Sequence, residues 1–311
     1  MTGRRCGSPR RLETACLDAA SVRGLAGQTI RRRLDAVWHE LHVTRGDPCD
    51  RDGIHRLRVA TRRAIAAIDA FADLLPERGR RWFRRRLRDL RRAAGEARDL
   101  DVLADRISSE SSPGSGGPAR RRLAAMLARR RPEACEPVLA QRDRLTEADW
   151  PVRAERLIDR IARGGKEPAF ARYCRRRLKR TVRRFFDRAD HATGRRADLH
   201  RLRIDGKRLR YALEIFAPVI PDGQRAKCQK TLEALQECLG RYTDHTSAAE
   251  RLRRWSARHG VAEDRRLLAW LQRSEDEAAD EACRGFVSWW TRSRQRTLRR
   301  RFRRALRRKP A

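Results

Sequence analysis

The sequence predicts an all-α protein: two pseudo-twofold-related four-helix bundles joined into one compact domain. Three observations predict it. Alanine and leucine are common, β-branched residues are sparse and strand-period alternation is nearly absent. Glycine and proline breaks divide the chain into four helical stretches, a short connector and four more. A 22-residue stretch also occurs twice, as HRLRVATRRAIAAIDAFADLLP from His55 and HRLRIDGKRLRYALEIFAPVIP from His200, 145 residues apart without a gap.

The elements follow in order. Residues 1–20 carry arginines but no apolar stretch of signal-peptide type, and are expected to be a disordered basic leader. A first helix is expected over about Leu25–Val43, broken by Gly46-Asp47-Pro48. The repeated helix follows over about Ile54–Leu75, and a third helix over about Glu77–Ile107. Ser108–Pro118, SSESSPGSGGP, reads as a flexible loop. A fourth helix, about Ala119–Leu145, completes the first half. Asp149-Trp150-Pro151 and Gly164-Gly165 bracket a short helical connector. The second half repeats the plan with helices over about Ala169–Ala189, Leu199–Val219, Gln224–Trp255 and one last long helix from about Glu263. The expected boundaries are 21–147 for the first half, 148–166 for the connector, 167–300 for the second half and 301–311 for a basic tail.

At about 100° per residue, Leu57, Ala64, Ile68, Phe71 and Leu75 share one side of the repeated helix. His55, Arg58 and Arg62 share the other, as do His200, Arg203 and Lys207, joined there by Arg210 and Tyr211. Side chains three and four residues apart are neighbours on a helix, so each copy carries a strip of cationic and imidazole donors opposite its core face. A solvated basic face would give the same pattern once. Its retention in both copies favours a shared ligand.

The charge narrows the ligand. The chain has 77 Lys+Arg against 41 Asp+Glu, a net +36, which points to a polyanion or an anionic surface. Nearly all the cations are arginine, whose planar fork matches phosphate in a bidentate way. They are spread over the helices: triple arginines at 31–33 and 175–177, nine arginines within 78–92, and eleven basic residues without an acid in 291–311. Rows of Arg and Lys at helical spacing can track a phosphate chain, with imidazoles as further donors. The eight cysteines form neither a disulfide framework nor a zinc signature, which fits a reducing, cytoplasmic setting. The apolar runs are far short of a membrane span, so integral membrane association is not expected. Nucleotide-binding, serine-hydrolase and zinc-protease motifs are absent, and no cofactor or metal is expected. Asp99, Asp101 and Asp244 read as partners of arginine or as helix caps.

The repeat extends further. Leu87, Leu90, Gly95, Asp99 and Ala104 are answered by Leu232, Leu235, Gly240, Asp244 and Ala249. An HxLRxxxR(R/K) helix ending near Phe and Pro, then a helix carrying Gly and an RD-x-D-V-like string (RDLDVL, 98–103), twice in order, resembles the CHAD (conserved histidine α-helical domain) family. The resemblance covers roughly residues 20–300. It implies an all-helical fold of two bundles with a basic central surface or pore, binding of inorganic polyphosphate and, in some members, residence at polyphosphate granules. Carried over by position, the implied phosphate contacts are His55, Arg58, Arg62 and Arg63, then His200, Arg203, Lys207, Arg208 and Arg210, with Arg32 and Arg176 on the first helices as further candidates. Many members are joined to a CYTH domain; its N-terminal ExExK motif is absent here, so no fused catalytic domain is expected.

The expected function is therefore non-catalytic polyphosphate binding. Three alternatives stay open. Nonspecific DNA or RNA binding follows from charge alone, although aromatics make up only 6% and stacking platforms look scarce. A polyphosphate-processing enzyme would release phosphate. Membrane-surface adsorption could use Leu298, Phe302 and Leu306 of the Arg-rich C-terminal stretch.

Overall fold

The structure, a computed structural model, describes residues 21–43, 50–109, 117–191, 195–257 and 261–307. Among them are ten α-helices, one 3-10 turn and no strand. The first half comprises α1 (Val22–Val43), α2 (Arg51–Ala70), α3 (Glu77–Ser109) and α4 (Gly117–Glu147). The connector is α5 (Trp150–Ala162). The second half comprises α6 (Phe170–Asp190), α7 (Arg196–Ile215), the 3-10 turn Ala217–Val219, α8 (Asp222–Ser256) and α9 (Ala262–Trp289), followed by α10 (Arg292–Arg307). The expected leader over 1–20, the Gly46-Asp47-Pro48 break and residues 308–311 lie outside the described residues, as does most of the Ser108–Pro118 loop.

Local chemistry explains the helix starts. Asp50 caps α2, its carboxylate accepting from the backbone N–H of Asp52 at 3.1 Å and of Gly53 at 2.8 Å. Asp149 precedes α5 in a left-handed conformation, φ 51°, which aspartate tolerates better than most residues, and Pro151 supplies the fixed φ of a first turn. Helix α4 runs through Pro132 and Pro137, both on its exposed side, where water can take the carbonyls they release.

Each motif helix packs on the helix before it and the helix after it, in the same order in both halves. Leu57, Ala64, Ile68, Phe71 and Leu75 are all buried, as the helical phase requires. Their counterparts Leu202, Leu209, Leu213, Phe216 and Ile220 are buried too. One hydrophobic cluster runs through both halves. At its centre Phe71 meets Phe216, its own counterpart in the repeat, edge to face with centroids 5.5 Å apart. The arginine contacts across this junction also correspond. Arg177 of α6 donates to the carbonyls of Asp69 and Ala70 at the end of α2, at 2.6 and 2.8 Å. Arg33 of α1 lies 3.7 Å from Glu214 at the end of α7. Contacts between equivalents are the pattern that a twofold relation generates.

The C-terminus departs from expectation. The last long helix is two helices, turned at Trp290-Thr291, where the Thr291 hydroxyl accepts from the N–H of Arg294 at 3.2 Å. With no glycine or proline at the turn, a threonine cap was the only signal. The expected boundary at residue 300 falls inside α10. Leu298, Phe302 and Ala305 are buried; Phe302 meets Phe186 at 6.3 Å, and Arg299 pairs with Asp190 at 2.8 Å. The apolar side that adsorption to a membrane surface would need free is thus packed on the fold. No helix among the described residues is long and apolar enough to cross a membrane. Phe302→Ala is expected to destabilise the protein by about 3 kcal/mol through loss of burial and a residual cavity, as read by urea unfolding.

Candidate anion-binding site

Helices α2 and α7 bring their two donor strips together. His55 and His200, each near the start of its helix, are exposed. One turn on, Arg58 and Arg203 are half-buried, and Arg62 and Lys207 follow one turn further. Helices α3 and α8 form the walls. The Arg58 Nη1 donates to the carbonyls of Arg91 at 2.9 Å and Ala94 at 3.2 Å, lying flat on α3 beside Gly95. A methyl group at Gly95 would sit 3.8 Å from that nitrogen, so alanine fits and a larger side chain would lift the guanidinium. The second half repeats the arrangement. Arg203 Nη2 would lie 4.0 Å from a methyl group at Gly240, and it reaches Asp244 Oδ1 at 3.4 Å. The paired glycines thus leave room for the second cation of each strip to cross the neighbouring helix.

Arg62 is the hub. Its charge acts on His55, Arg58 and Arg91 from the first half and on Arg203 and Lys207 from the second. The resulting field is positive. Partial desolvation by its neighbours, then the charges of Arg98, Arg62 and Arg58, hold the His55 imidazolium below the usual range. Burial, then Arg203, Arg196 and Lys207, do the same to His200. Arg58, Arg91 and Arg203 are depressed in the same way, by burial first. Lys207 is pushed down to about 7 by burial and then by Arg203, Arg62 and Arg210, with Asp244 opposing. The nearby carboxylates are already engaged: Asp99 by Arg251 at 2.6 Å and Asp244 by Arg203. The Nε–H groups of Arg62, Arg203 and Arg210 are buried without an acceptor among the described residues. Such an arrangement costs stability, and it is suited to a chain of anionic oxygens.

Seven sequence candidates therefore meet: His55, Arg58, Arg62, His200, Arg203, Lys207 and Arg210, the last 5.3 Å from the ring of buried Tyr211. Arg63 turns to the flank, where its charge and that of Arg32 bear on Arg33. Arg208 and Arg176 go elsewhere. Arg208 pairs at 2.9 Å with buried Asp205, which also meets Arg184 and Arg188 of α6 at 3.3 and 3.5 Å. Arg176 is exposed, 5.5 Å from the Tyr173 ring and 3.4 Å from Asp73. Sequence reasoning missed Arg91 and Arg98. Arg91 lies in the arginine run 78–92 and Arg98 opens the RDLDVL string, but neither is on a motif helix. It also chose the middle arginine of each triple, whereas the third, Arg33 or Arg177, crosses between halves in both copies and the middle one does so only as Arg176 to Asp73. Asp101 is fully buried between Arg131 at 2.6 Å and Arg51 at 3.2 Å, a structural ion pair.

A family model described as "CHAD domain" matches residues 28–253. Among solved structures, the crystal structure of the CHAD domain from the plant Ricinus communis is similar, with a TM-score of 0.65 at 19% identity, covering 91% of this chain and 92% of that one. PptA from Streptomyces chartreusis is similar with a TM-score of 0.61 at 16% identity, covering 87% of this chain and 99% of that one. No curated protein matches the chain.

Proposed function

Because the chain belongs to the CHAD family, we propose that it binds inorganic polyphosphate between α2 and α7, holds it without cleaving it, and is thereby directed to polyphosphate granules. One observation carries this reading: equivalent cationic strips from both repeats converge on Arg62 in a positive field that the local carboxylates do not neutralise. A flexible chain of repeating phosphates can contact both strips at once, and each guanidinium fork can take two oxygens. The His, Arg and Lys side chains act as donors and charges, and binding needs none of them to transfer a proton.

The test is a competition titration near physiological salt. Labelled long-chain polyphosphate on the full chain is challenged with duplex DNA, single-stranded RNA, triphosphate and orthophosphate while phosphate release is followed. Retention of polyphosphate against nucleic acid, with no phosphate release, supports the proposal. Equal displacement by DNA or RNA makes the protein a general polyanion binder, and steady phosphate release makes it an enzyme.

Binding is expected to depend on pH through Lys207. Its free value is about 7, and a bound polyanion raises it towards the ordinary ammonium range. The protonated form binds more tightly, so affinity is greatest below about 7 and falls by up to about tenfold per pH unit above it, until the bound-state value is passed. Depressed His55 and His200 add a second gain at lower pH. Lys207→Arg should flatten the alkaline limb while keeping affinity at pH 6. An unchanged slope in that variant would remove Lys207 from the site.

A further inference from the structure

Away from the α2/α7 strips, the first turns of α3 and the connector α5 flank an open cavity of about 300 Å³. That is near the lower end of the range for small-molecule sites. Its apolar floor is Trp82, Phe83 and Leu157, and its rim is Arg78, Arg153, Arg156 and Arg160. No carboxylate lines it. The floor is rigid: Phe83 is buried, with Trp82 and Trp150 edge-on at 4.7 and 4.8 Å. Arg153, tied to the Ala148 carbonyl at 2.6 Å, lies 5.1 Å from the Trp82 ring centre. Arg156 and Arg160 stand one turn apart on α5, exposed, and with Arg78 they make no ion pair among the described residues.

The counterpart positions in the second half are built differently. Helix α5 packs mainly on α1 and meets the start of α3 through Trp150, whereas α10 packs on α8, the counterpart of α3. There the counterparts of Trp82 and Arg86 are Lys227 and Thr231, and Arg301 fills the space, donating to the Lys227 carbonyl at 3.3 Å and the Thr231 hydroxyl at 2.9 Å. The first half instead keeps an aromatic floor beneath unpaired guanidinium groups. A bare phosphate chain has no use for such a floor; an anion with a flat apolar body does.

We propose that this cavity binds a nucleoside phosphate, its base against Trp82 and Leu157 and its phosphates on Arg78, Arg156 and Arg160. The site is separate from the α2/α7 strips and does not depend on their function. The test compares ATP with tripolyphosphate, which shares the phosphates and lacks the nucleoside, by equilibrium titration of the full chain. In Arg62→Ala/Arg203→Ala, whose strips no longer take the shared phosphates, ATP should bind about tenfold more tightly than tripolyphosphate. Adding Arg156→Ala/Arg160→Ala should abolish that margin, while Arg156→Ala/Arg160→Ala alone should leave long-chain polyphosphate binding within about twofold. Equal binding of the two probes by Arg62→Ala/Arg203→Ala would overturn the proposal, as would a margin that survives the added Arg156→Ala/Arg160→Ala.

Discussion

Arg62→Ala/Arg203→Ala is expected to weaken long-chain polyphosphate binding by about 100-fold while leaving the thermal unfolding midpoint unchanged or higher. The loss follows from removing two charge-assisted contacts, each contributing about 1.5 kcal/mol or more. The stability follows from the field. Both guanidinium groups sit among other cations, and each holds a buried Nε–H without an acceptor among the described residues. Removing them relieves repulsion, and the carboxylate left behind, Asp244, is mostly exposed and keeps its water. Binding measured at constant salt beside a melting curve tests both halves of the statement. A variant that binds normally would refute the site. One that loses binding only because it unfolds would show that these arginines hold the fold together.

Asp101→Ala should do the reverse. Its carboxylate is fully buried, with Arg131 and Arg51 as partners, and it ties α3 to α4 and to the start of α2. Removing it leaves the largely buried Arg131 guanidinium without its counter-charge, at a cost of about 3 kcal/mol. Urea unfolding reads that loss. The fraction still folded at low temperature should bind polyphosphate as wild type does, because neither Arg131 nor Arg51 is one of the strip cations. A stability change under about 1 kcal/mol would mean that this pair contributes no more than a surface ion pair.

Much of this was legible in the chain. Helical phase placed Leu57, Ala64, Ile68, Phe71 and Leu75 in the core and His55, Arg58 and Arg62 opposite them, because that periodicity is local. The gapless repeat then suggested that both strips serve one ligand. What could not be read depends on which distant element each long arginine reaches. Arg203 and Arg208 sit five residues apart on α7 with the same chemistry, yet one lies by Gly240 at the site and the other is taken by Asp205. Arg33 and Arg177 look like neighbours in charge runs, and only the docking of α1 and α6 across the opposite half sets them apart. The α9/α10 turn was hidden for a different reason: continued amphipathic spacing on both sides of Thr291 masks a change of direction.

Because Phe71 touches Phe216, its own counterpart, the junction between the halves has the form of an interface between identical subunits. Were the halves separate chains, that interface would dissociate on dilution. Joined through α5, each half meets the other at an effective concentration on the order of millimolar, whatever the protein concentration. A proteolytic nick at Gly164-Gly165, beyond the end of α5, would turn this intramolecular contact into a bimolecular one. The nicked protein should persist as a non-covalent pair and come apart only as it is diluted.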